Sequence, residues 1–312
     1  MSTNISSSFY PERGLATAPL PLLLIVGSLL AVSVLLSKIA AGLHAPMLTY
    51  LALAMGGSGL LLMIMTRGVR TGEVGFVPLI FYSLGAGALM ALGSALGYLS
   101  VHKVGAAFIA LALAFPPMLT WLLSLFLRME RFNAFRLGGL LIGLTGGILL
   151  AFNKGIGAPS DTGAILVSCA MPAVLAAGNV FRTRFWPKGA NPRVLAGAML
   201  ICGALLTLPF AIYFEGAPEI LAVLRSPMLV ILLIAISTFV AQYVALFRLQ
   251  QIAGPVYMSQ IGSVAAIVGS PVAVLVLGER LPSGFPLTAL LIVLGLAVFQ
   301  YRVAKPSSRS AR

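Results

Sequence analysis

The chain has 312 residues, of which 60% are hydrophobic and only 9% are charged, and its net charge is +13. Soluble domains carry about 25% charged residues, so this composition excludes an ordinary water-soluble protein and predicts one embedded in a lipid bilayer. The basic residues are spread over short gaps between apolar segments and are not interleaved with aromatic residues, which argues against binding to nucleic acid.

The N-terminal segment 1–19 is polar and rich in serine. It lacks the basic start and the small-residue cleavage site of a signal peptide. We therefore predict a disordered tail that is followed by a retained first membrane helix.

Ten apolar segments of membrane-spanning length follow this tail. Each is about 20 residues long, which is the length that an α-helix needs to cross the hydrocarbon core of a bilayer. A backbone in lipid must satisfy its own hydrogen bonds, so segments of this kind are predicted to be α-helices. Their approximate bounds are 20–40, 46–66, 75–99, 105–127, 134–152, 162–182, 194–214, 227–247, 255–277 and 285–302.

The basic residues are distributed unequally between the two sides of this predicted bundle. If the N-terminal tail lies in the cytoplasm, cytoplasmic segments contain 15 of the 20 Lys and Arg residues and the opposite segments contain 5. Lys and Arg are enriched on the cytoplasmic side of membrane proteins. The sequence therefore predicts a multi-pass membrane protein, with both the N-terminal tail and the basic tail 304–312 in the cytoplasm.

A dipeptide recurs at the ends of the fourth and ninth predicted helices. The two copies are 149 residues apart, and the same offset relates Gly146 to Gly295. Each half then has five helices, an odd number, so the second half must be inserted in the opposite orientation. We predict an all-α membrane fold with two inverted five-helix repeats, 20–157 and 158–303, and a substrate site between them. The two copies of the dipeptide are Glu130-Arg131 and Glu279-Arg280.

These Glu-Arg pairs allow two interpretations. They could form ion pairs that gate a transport pathway, or they could brace a tight turn between two helices. Charged residues at helix ends of membrane proteins usually lie in water, so we favour the structural role in the turn.

The sequence around both pairs resembles the duplicated EamA domain of the drug/metabolite transporter superfamily. The pattern is a Pro, an apolar run, a Gly-Glu-Arg turn and a Gly-rich last helix. Met129 replaces the Gly in the first half, and Ala266 stands at the Pro position of the second half. The resemblance implies ten helices, cytoplasmic termini, and a cavity lined mainly by helices one, three, four, six, eight and nine. It also implies the transport of a small metabolite, most often export in bacteria, which places the protein in a bacterial inner membrane. The matching stretches are PPMLTWLLSLFLRMERFNAFRLGGLLIGLTGGILLAF and SPVAVLVLGERLPSGFPLTALLIVLGLAVFQ.

Polar and aromatic side chains within the predicted helices are the candidates for contact with a substrate. A polar group in the membrane needs a partner on a neighbouring helix or a water-filled cavity, and the amides Asn179, Gln242 and Gln260 are the strongest candidates. Lys38 could hold an anionic group or extend to the outer interface, and Arg182 could do the same or act as a cytoplasmic anchor. The predicted cavity residues are Lys38, Ser94, Tyr98, Trp121, Asn179, Gln242, Tyr243, Ser259, Gln260 and Ser263.

The sequence contains no recognisable catalytic, nucleotide-binding, cofactor or metal-binding motif, and all seven acidic residues lie in tails or at helix ends. This pattern argues against an enzyme and against a carboxylate proton relay. We predict an exporter that works by alternating access on a small neutral, zwitterionic or weakly polar compound, such as an amino acid, another metabolite or a drug-like molecule. The alternatives are an importer of a vitamin or precursor on the same fold, an accessory membrane protein that does not transport, and a channel.

Small residues in the fifth predicted helix, Gly139, Gly143 and Gly147, are spaced four apart. Such a stripe allows two helices to approach closely. It could form the contact face of a homodimer, or it could pack against another helix of the same chain, which we favour.

Overall fold

The computed structural model describes residues 19–67, 75–157, 162–217, 221, 223–252, 258, 260–278 and 284–301, with the side chains of 154–157 left out. Within these ranges the protein is all-α, as the sequence predicts. The predictions for the two tails, for Ser259 and for the pair Glu279-Arg280 lie outside the described residues.

Eleven helices make up the described part of the chain. Seven of these helices are long and apolar enough to cross a bilayer, and two short consecutive helices together form an eighth such span. The last two helices are shorter but also apolar. The ten predicted segments are therefore present in the predicted order. The helices are α1 (Pro19–Gly42), α2 (Met47–Met65), α3 (Phe76–Val104), α4 (Ala106–Ala112), α5 (Pro116–Phe126), α6 (Ala134–Gly157), α7 (Thr162–Arg184), α8 (Pro192–Phe214), α9 (Met228–Ile252), α10 (Ile261–Leu277) and α11 (Phe285–Gln300).

The fourth predicted segment is divided into two short helices, α4 and α5, which together form one membrane-length unit over 106–126. Leu113, Ala114 and Phe115 separate them, and Pro116 and Pro117 open the second helix. A proline has no backbone N–H and its ring clashes with the preceding helical turn, although it is well accommodated at a helix start. The two prolines therefore account for the break.

The helices pair as an inverted repeat requires. The second helices of the two halves, α2 and α8, pack against each other, as do the fifth helices, α6 and α11. The first helix of the first half, α1, contacts α9 and α10, and its counterpart α7 contacts α3 and the α4–α5 unit. If each helix is replaced by its counterpart in the other half, every one of these contacts becomes a contact that the structure also contains.

The 149-residue offset also holds at the level of single contacts between α6 and α11. A Cβ atom on Gly146 would lie 3.0 Å from the backbone nitrogen of Ile292. A Cβ atom on Gly295, the counterpart of Gly146, would collide with the backbone nitrogen of Gly143, the counterpart of Ile292. Gly139, Gly146 and Gly295 therefore bring α6 and α11 together, while Gly143 and Gly147 face Met118 and Phe115 of the same chain, as favoured above. A homodimer remains a prediction.

The start of α2 is capped by a residue from the other half of the molecule. Pro46 precedes α2 and supplies no side-chain cap. Instead, the backbone N–H groups of Leu48 and Thr49 each donate to a carboxylate oxygen of Glu215 at 2.8 Å, and the Thr49 hydroxyl donates to it at 2.8 Å. A carboxylate at a helix N-terminus satisfies free donors and is favoured by the helix dipole. The contact joins the start of α2 to the end of α8. These two helix ends lie on the same side of the membrane if the ten segments alternate in direction.

Glu215→Ala is expected to lower the free energy of unfolding by about 1–2 kcal/mol, the usual cost of losing an N-cap. The measurement is the thermal unfolding midpoint of the purified protein in detergent. Glu130→Ala is the control, because the Glu130 side chain is 30% exposed and pairs with Arg136 at 3.3 Å. A pair at that level of exposure is worth less than about 1 kcal/mol, so equal losses in the two variants would contradict the capping role.

Candidate substrate cavity

A cavity of about 120 Å³ lies between the two halves of the molecule. Its walls come from α1, α3, the α4–α5 unit, α7, α9 and α10, together with Met258. These are the first, third, fourth, sixth, eighth and ninth membrane segments, the same set that the resemblance to the EamA domain implies. The cavity is thus formed by three helices from each half, where a substrate site of an inverted-repeat carrier is expected.

The wall that α7 contributes is a single helical face. Met171, Leu175, Asn179 and Arg182 follow one another at spacings of four, four and three residues, and all four line the cavity. Residues at these spacings lie above one another on a helix. The polar end of this face is therefore Asn179 and Arg182, and its remaining part is apolar.

Asn179 and Arg182 form a hydrogen-bonded group that reaches into the first half. The Arg182 Nη2 atom donates to the Asn179 Oδ1 atom at 2.6 Å, and the Asn179 Nδ2 atom donates to the Thr120 hydroxyl of α5 at 3.3 Å. Arg182 is only 6% exposed. A permanently charged guanidinium is thus buried within the protein, in the last turn of the membrane-length helix α7, and borders the cavity.

A second polar contact in the cavity wall joins α1 to α9. The Ser33 hydroxyl donates to the Gln242 Oε1 atom at 3.1 Å, and both side chains are buried. This bond satisfies one lone pair of an amide that would be costly in lipid. Gln242 therefore has a helix–helix partner and still borders the cavity.

Aromatic and sulfur-containing side chains form much of the remaining wall. The Tyr243 hydroxyl donates to the Met90 sulfur at 2.6 Å, and the Tyr98 ring lies 6.0 Å from the Tyr50 ring. Ser94 lies on the same wall. Of the predicted cavity residues, those that border this cavity are Ser94, Tyr98, Asn179, Gln242 and Tyr243.

Four other predicted residues lie away from this lining. The Lys38 ammonium donates to the carbonyl oxygens of Val101 and His102, at 3.2 and 3.1 Å, where α3 ends. A cation is favoured at that end of a helix, as for a lysine that extends to the interface. Trp121 is fully buried and packs edge-on against Phe299, with ring centroids 5.9 Å apart.

Gln260 and Ser263 lie at the start of α10. Gln260 is the residue before the helix, and its backbone carbonyl accepts from Ser263. The Ser263 side chain is buried, and its hydroxyl has no hydrogen-bond partner in the described part of the chain. Neither residue belongs to the lining of the cavity.

The turn after α5 contains the first Glu-Arg pair. Glu130 forms its ion pair with Arg136 of α6, whereas Arg131 is exposed. The backbone N–H groups of Met129 and Glu130 both donate to the Ser124 carbonyl. These contacts are of the kind expected if Glu130 braces a turn, and that role remains a prediction for both residues.

Ser33 and Ser37 border the cavity but were not among the predicted residues. Arg182, for which the sequence left anion binding and a cytoplasmic anchor open, borders it as well. Serines in membrane helices commonly bond to their own backbone, so their sequence signal is weak. The Ser33 hydroxyl also lies 3.0 Å from the Leu29 carbonyl oxygen, to which its one proton can be donated instead of to Gln242. Arg182 had a stronger signal, because it lies three residues after Asn179 and therefore on the same helical face. Its position at a helix end made the interpretation as a cytoplasmic anchor equally plausible.

Comparison with known proteins agrees with this architecture. Residues 162–301, which run from the start of α7 to the end of α11, match the model of the EamA-like transporter family. Fourteen chains of solved structures match, and in one crystal structure the shared fold covers 93% of this chain and 100% of the other, with 23% identity and a TM-score of 0.59. A comparison with curated protein sequences gives no match.

Proposed function

We propose that this chain, whose residues 162–301 match the EamA-like transporter family, is a membrane transporter of the drug/metabolite type that exports a small metabolite by alternating access. The cavity between the halves carries this proposal. Three helices of each half enclose it, and it combines an apolar wall with the polar groups of Asn179, Arg182 and Gln242. A carrier whose halves rock against each other would expose such a cavity to either side in turn.

The direction of transport and the location are further parts of the proposal. Export is supported by the resemblance to the EamA family. The charge distribution supports termini in the cytoplasm, and the resemblance to the EamA family supports a bacterial inner membrane. The lining residues in the described ranges include no carboxylate, which supports a facilitator or an exchanger that does not use a carboxylate proton relay.

Metabolite profiling of cells and medium tests the proposal. Cells that overexpress the protein, cells that lack it and cells with an empty vector are compared by untargeted mass spectrometry. Export predicts a compound that accumulates in the medium on overexpression and inside the cells on deletion. A compound that is taken up faster from the medium would support import instead, and unchanged pools in many growth conditions would count against transport.

Reporter fusions test the proposed orientation separately. A fluorescent protein fused to the C-terminus should fluoresce, because it folds in the cytoplasm, and alkaline phosphatase fused there should be inactive. The opposite result would overturn the assignment of the termini while leaving the cavity unchanged.

A further inference from the structure

We propose that the cargo is an organic monoanion, with a carboxylate that binds Arg182 and an apolar body that fills the rest of the cavity. This inference rests on the proposed function, since it names the class of substrate for the same cavity. It departs from the expectation from the sequence, which favoured a neutral, zwitterionic or weakly polar compound.

The first argument is that the charge of Arg182 is buried without a counter-charge among the residues that the structure describes. Its side chain is 6% exposed, and among the described residues no carboxylate oxygen lies within 4 Å of it. Its Nη2 atom has a neutral partner in Asn179, and its Nε atom is buried with no hydrogen-bond partner in the described ranges. An uncompensated buried charge is costly, and charged residues within membrane helices usually face a cavity and mark a substrate pathway.

The second argument is the contrast with the other basic residues of the same region. Arg184, Lys188 and Arg193 follow closely in the chain, and all three are exposed. They have the position expected of residues that anchor a protein at the cytoplasmic interface. Arg182 is instead turned inward and borders the cavity. Anchoring at the interface therefore accounts for the exposed positions of Arg184, Lys188 and Arg193, but it does not account for the buried position of Arg182.

The third argument concerns the kind of anion. A guanidinium presents its donors in a planar fork that matches a carboxylate. One such group balances one negative charge, and a second negative charge on the cargo would be buried without a partner. Arg182 is also the only charged side chain among the described residues of the lining. A monocarboxylate therefore suits the site better than a phosphate dianion.

The rest of the lining selects the body of the cargo. Apart from the polar groups described above, the wall is apolar, and the cavity volume is about 120 Å³. A dry apolar cavity of roughly 150 Å³ in another protein holds one benzene molecule. A single ring or a short branched chain is therefore the size of body that the cavity accepts. The apolar wall includes Leu30, Val34, Leu113, Leu175, Phe239 and Leu246.

Benzoate and its neutral isostere benzamide are suitable probes for this site. The purified protein in detergent is titrated with each, and the thermal unfolding midpoint is followed, because a ligand that binds the folded state raises it. Benzoate should raise the midpoint in a saturable manner, and benzamide should raise it much less. Equal responses to the two compounds would overturn the proposal.

Arg182→Gln removes the charge, and it should weaken the apparent affinity for benzoate by at least about 30-fold, as for the loss of one partner of a buried charge pair. Arg184→Gln is the matched control, since it removes the same charge from an exposed position of the same helix. It should bind benzoate like the wild-type protein. Benzoate binding that survives in Arg182→Gln would overturn the proposal.

Asn179→Asp tests the same site without removing Arg182. The new carboxylate would stand where the Asn179 amide oxygen accepts from Arg182 at 2.6 Å, and it would serve as an internal counter-ion. Benzoate binding should be lost in this variant as well. It therefore tests the proposal even if Arg182→Gln does not fold, and normal benzoate binding in Asn179→Asp would contradict it.

Transport in liposomes separates this inference from the proposed function. The reconstituted wild-type and Arg182→Gln proteins are compared with the cargo that metabolite profiling identifies. Transport of a carboxylate that is lost in Arg182→Gln would support both proposals. Transport of a neutral cargo by both proteins would overturn the anion site and leave the carrier function intact. Benzoate binding without transport of any compound would support the anion site and overturn the carrier function.

Discussion

Gly139→Ala should destabilise the protein by about 3 kcal/mol, whereas Gly138→Ala should leave its stability unchanged or slightly raised. A Cβ atom on Gly139 would collide with the backbone of Gly295 and Phe299 and would lie 2.7 Å from the Phe299 Cα atom. A Cβ atom on Gly138 would have no neighbour within 4 Å. The backbone of α11 cannot yield as a side chain does, so α6 and α11 would have to separate.

The measurement is the thermal unfolding midpoint in detergent, together with the amount of each variant in the membrane. The two variants carry the same substitution at adjacent residues of one helix, so differences in helix propensity cancel. Similar midpoints for both variants would show that the close packing of α6 and α11 contributes little to stability.

Asn179→Ala should lower the transport rate at least about tenfold without removing the protein from the membrane. Asn179 borders the cavity, accepts a hydrogen bond from Arg182 and donates one to Thr120. A hydrogen bond to a charged group is worth about 1.5–3 kcal/mol, and each 1.4 kcal/mol corresponds to a factor of ten. The loss would arise from a misplaced guanidinium as well as from a missing amide.

The measurement is the initial rate of cargo transport in liposomes at equal protein content. Gln260→Ala is the comparison, because the sequence ranks Gln260 with Asn179 but the fold places it at the start of α10 and away from the cavity lining. Its transport rate should stay within about twofold of the wild-type rate, which corresponds to a change of less than about 0.5 kcal/mol in activation free energy. Equal defects in the two variants would show that the substrate pathway extends beyond this cavity.

The sequence was sufficient to predict the number of membrane segments and their inverted pairing. The thickness of the bilayer fixes the length of each apolar segment. The 149-residue offset maps the contact between Gly146 and Ile292 onto the contact between Gly295 and Gly143. The break between α4 and α5 follows from Pro116 and Pro117, whose effect on a helix is local. The proposed boundary between the repeats at 157 and 158 remains a prediction.

The rotation of each helix about its axis was harder to predict. Successive residues point about 100° apart on a helix, so neighbouring positions face different surroundings. Lys38 and Arg182 are both basic residues near helix ends, yet Lys38 contacts the end of α3 and Arg182 borders the cavity. Trp121 likewise packs against Phe299 of α11, a helix more than 150 residues away in the sequence. Only the packed arrangement of the helices distinguishes these cases.

One contact in the cavity wall bears on how such a carrier moves. Gly262 of α10 packs directly against the backbone carbonyl of Leu113, in the break between α4 and α5. Leu113 and Gly262 are 149 residues apart, so each is the counterpart of the other in the repeat. A residue in contact with its own counterpart lies next to the pseudo-twofold axis that relates the halves. Points on a rotation axis stay in place when the halves exchange their conformations. In the alternating-access carrier that we propose, this part of the wall would therefore stay fixed, and a cargo molecule bound beside it would become exposed to the other side of the membrane without leaving its site.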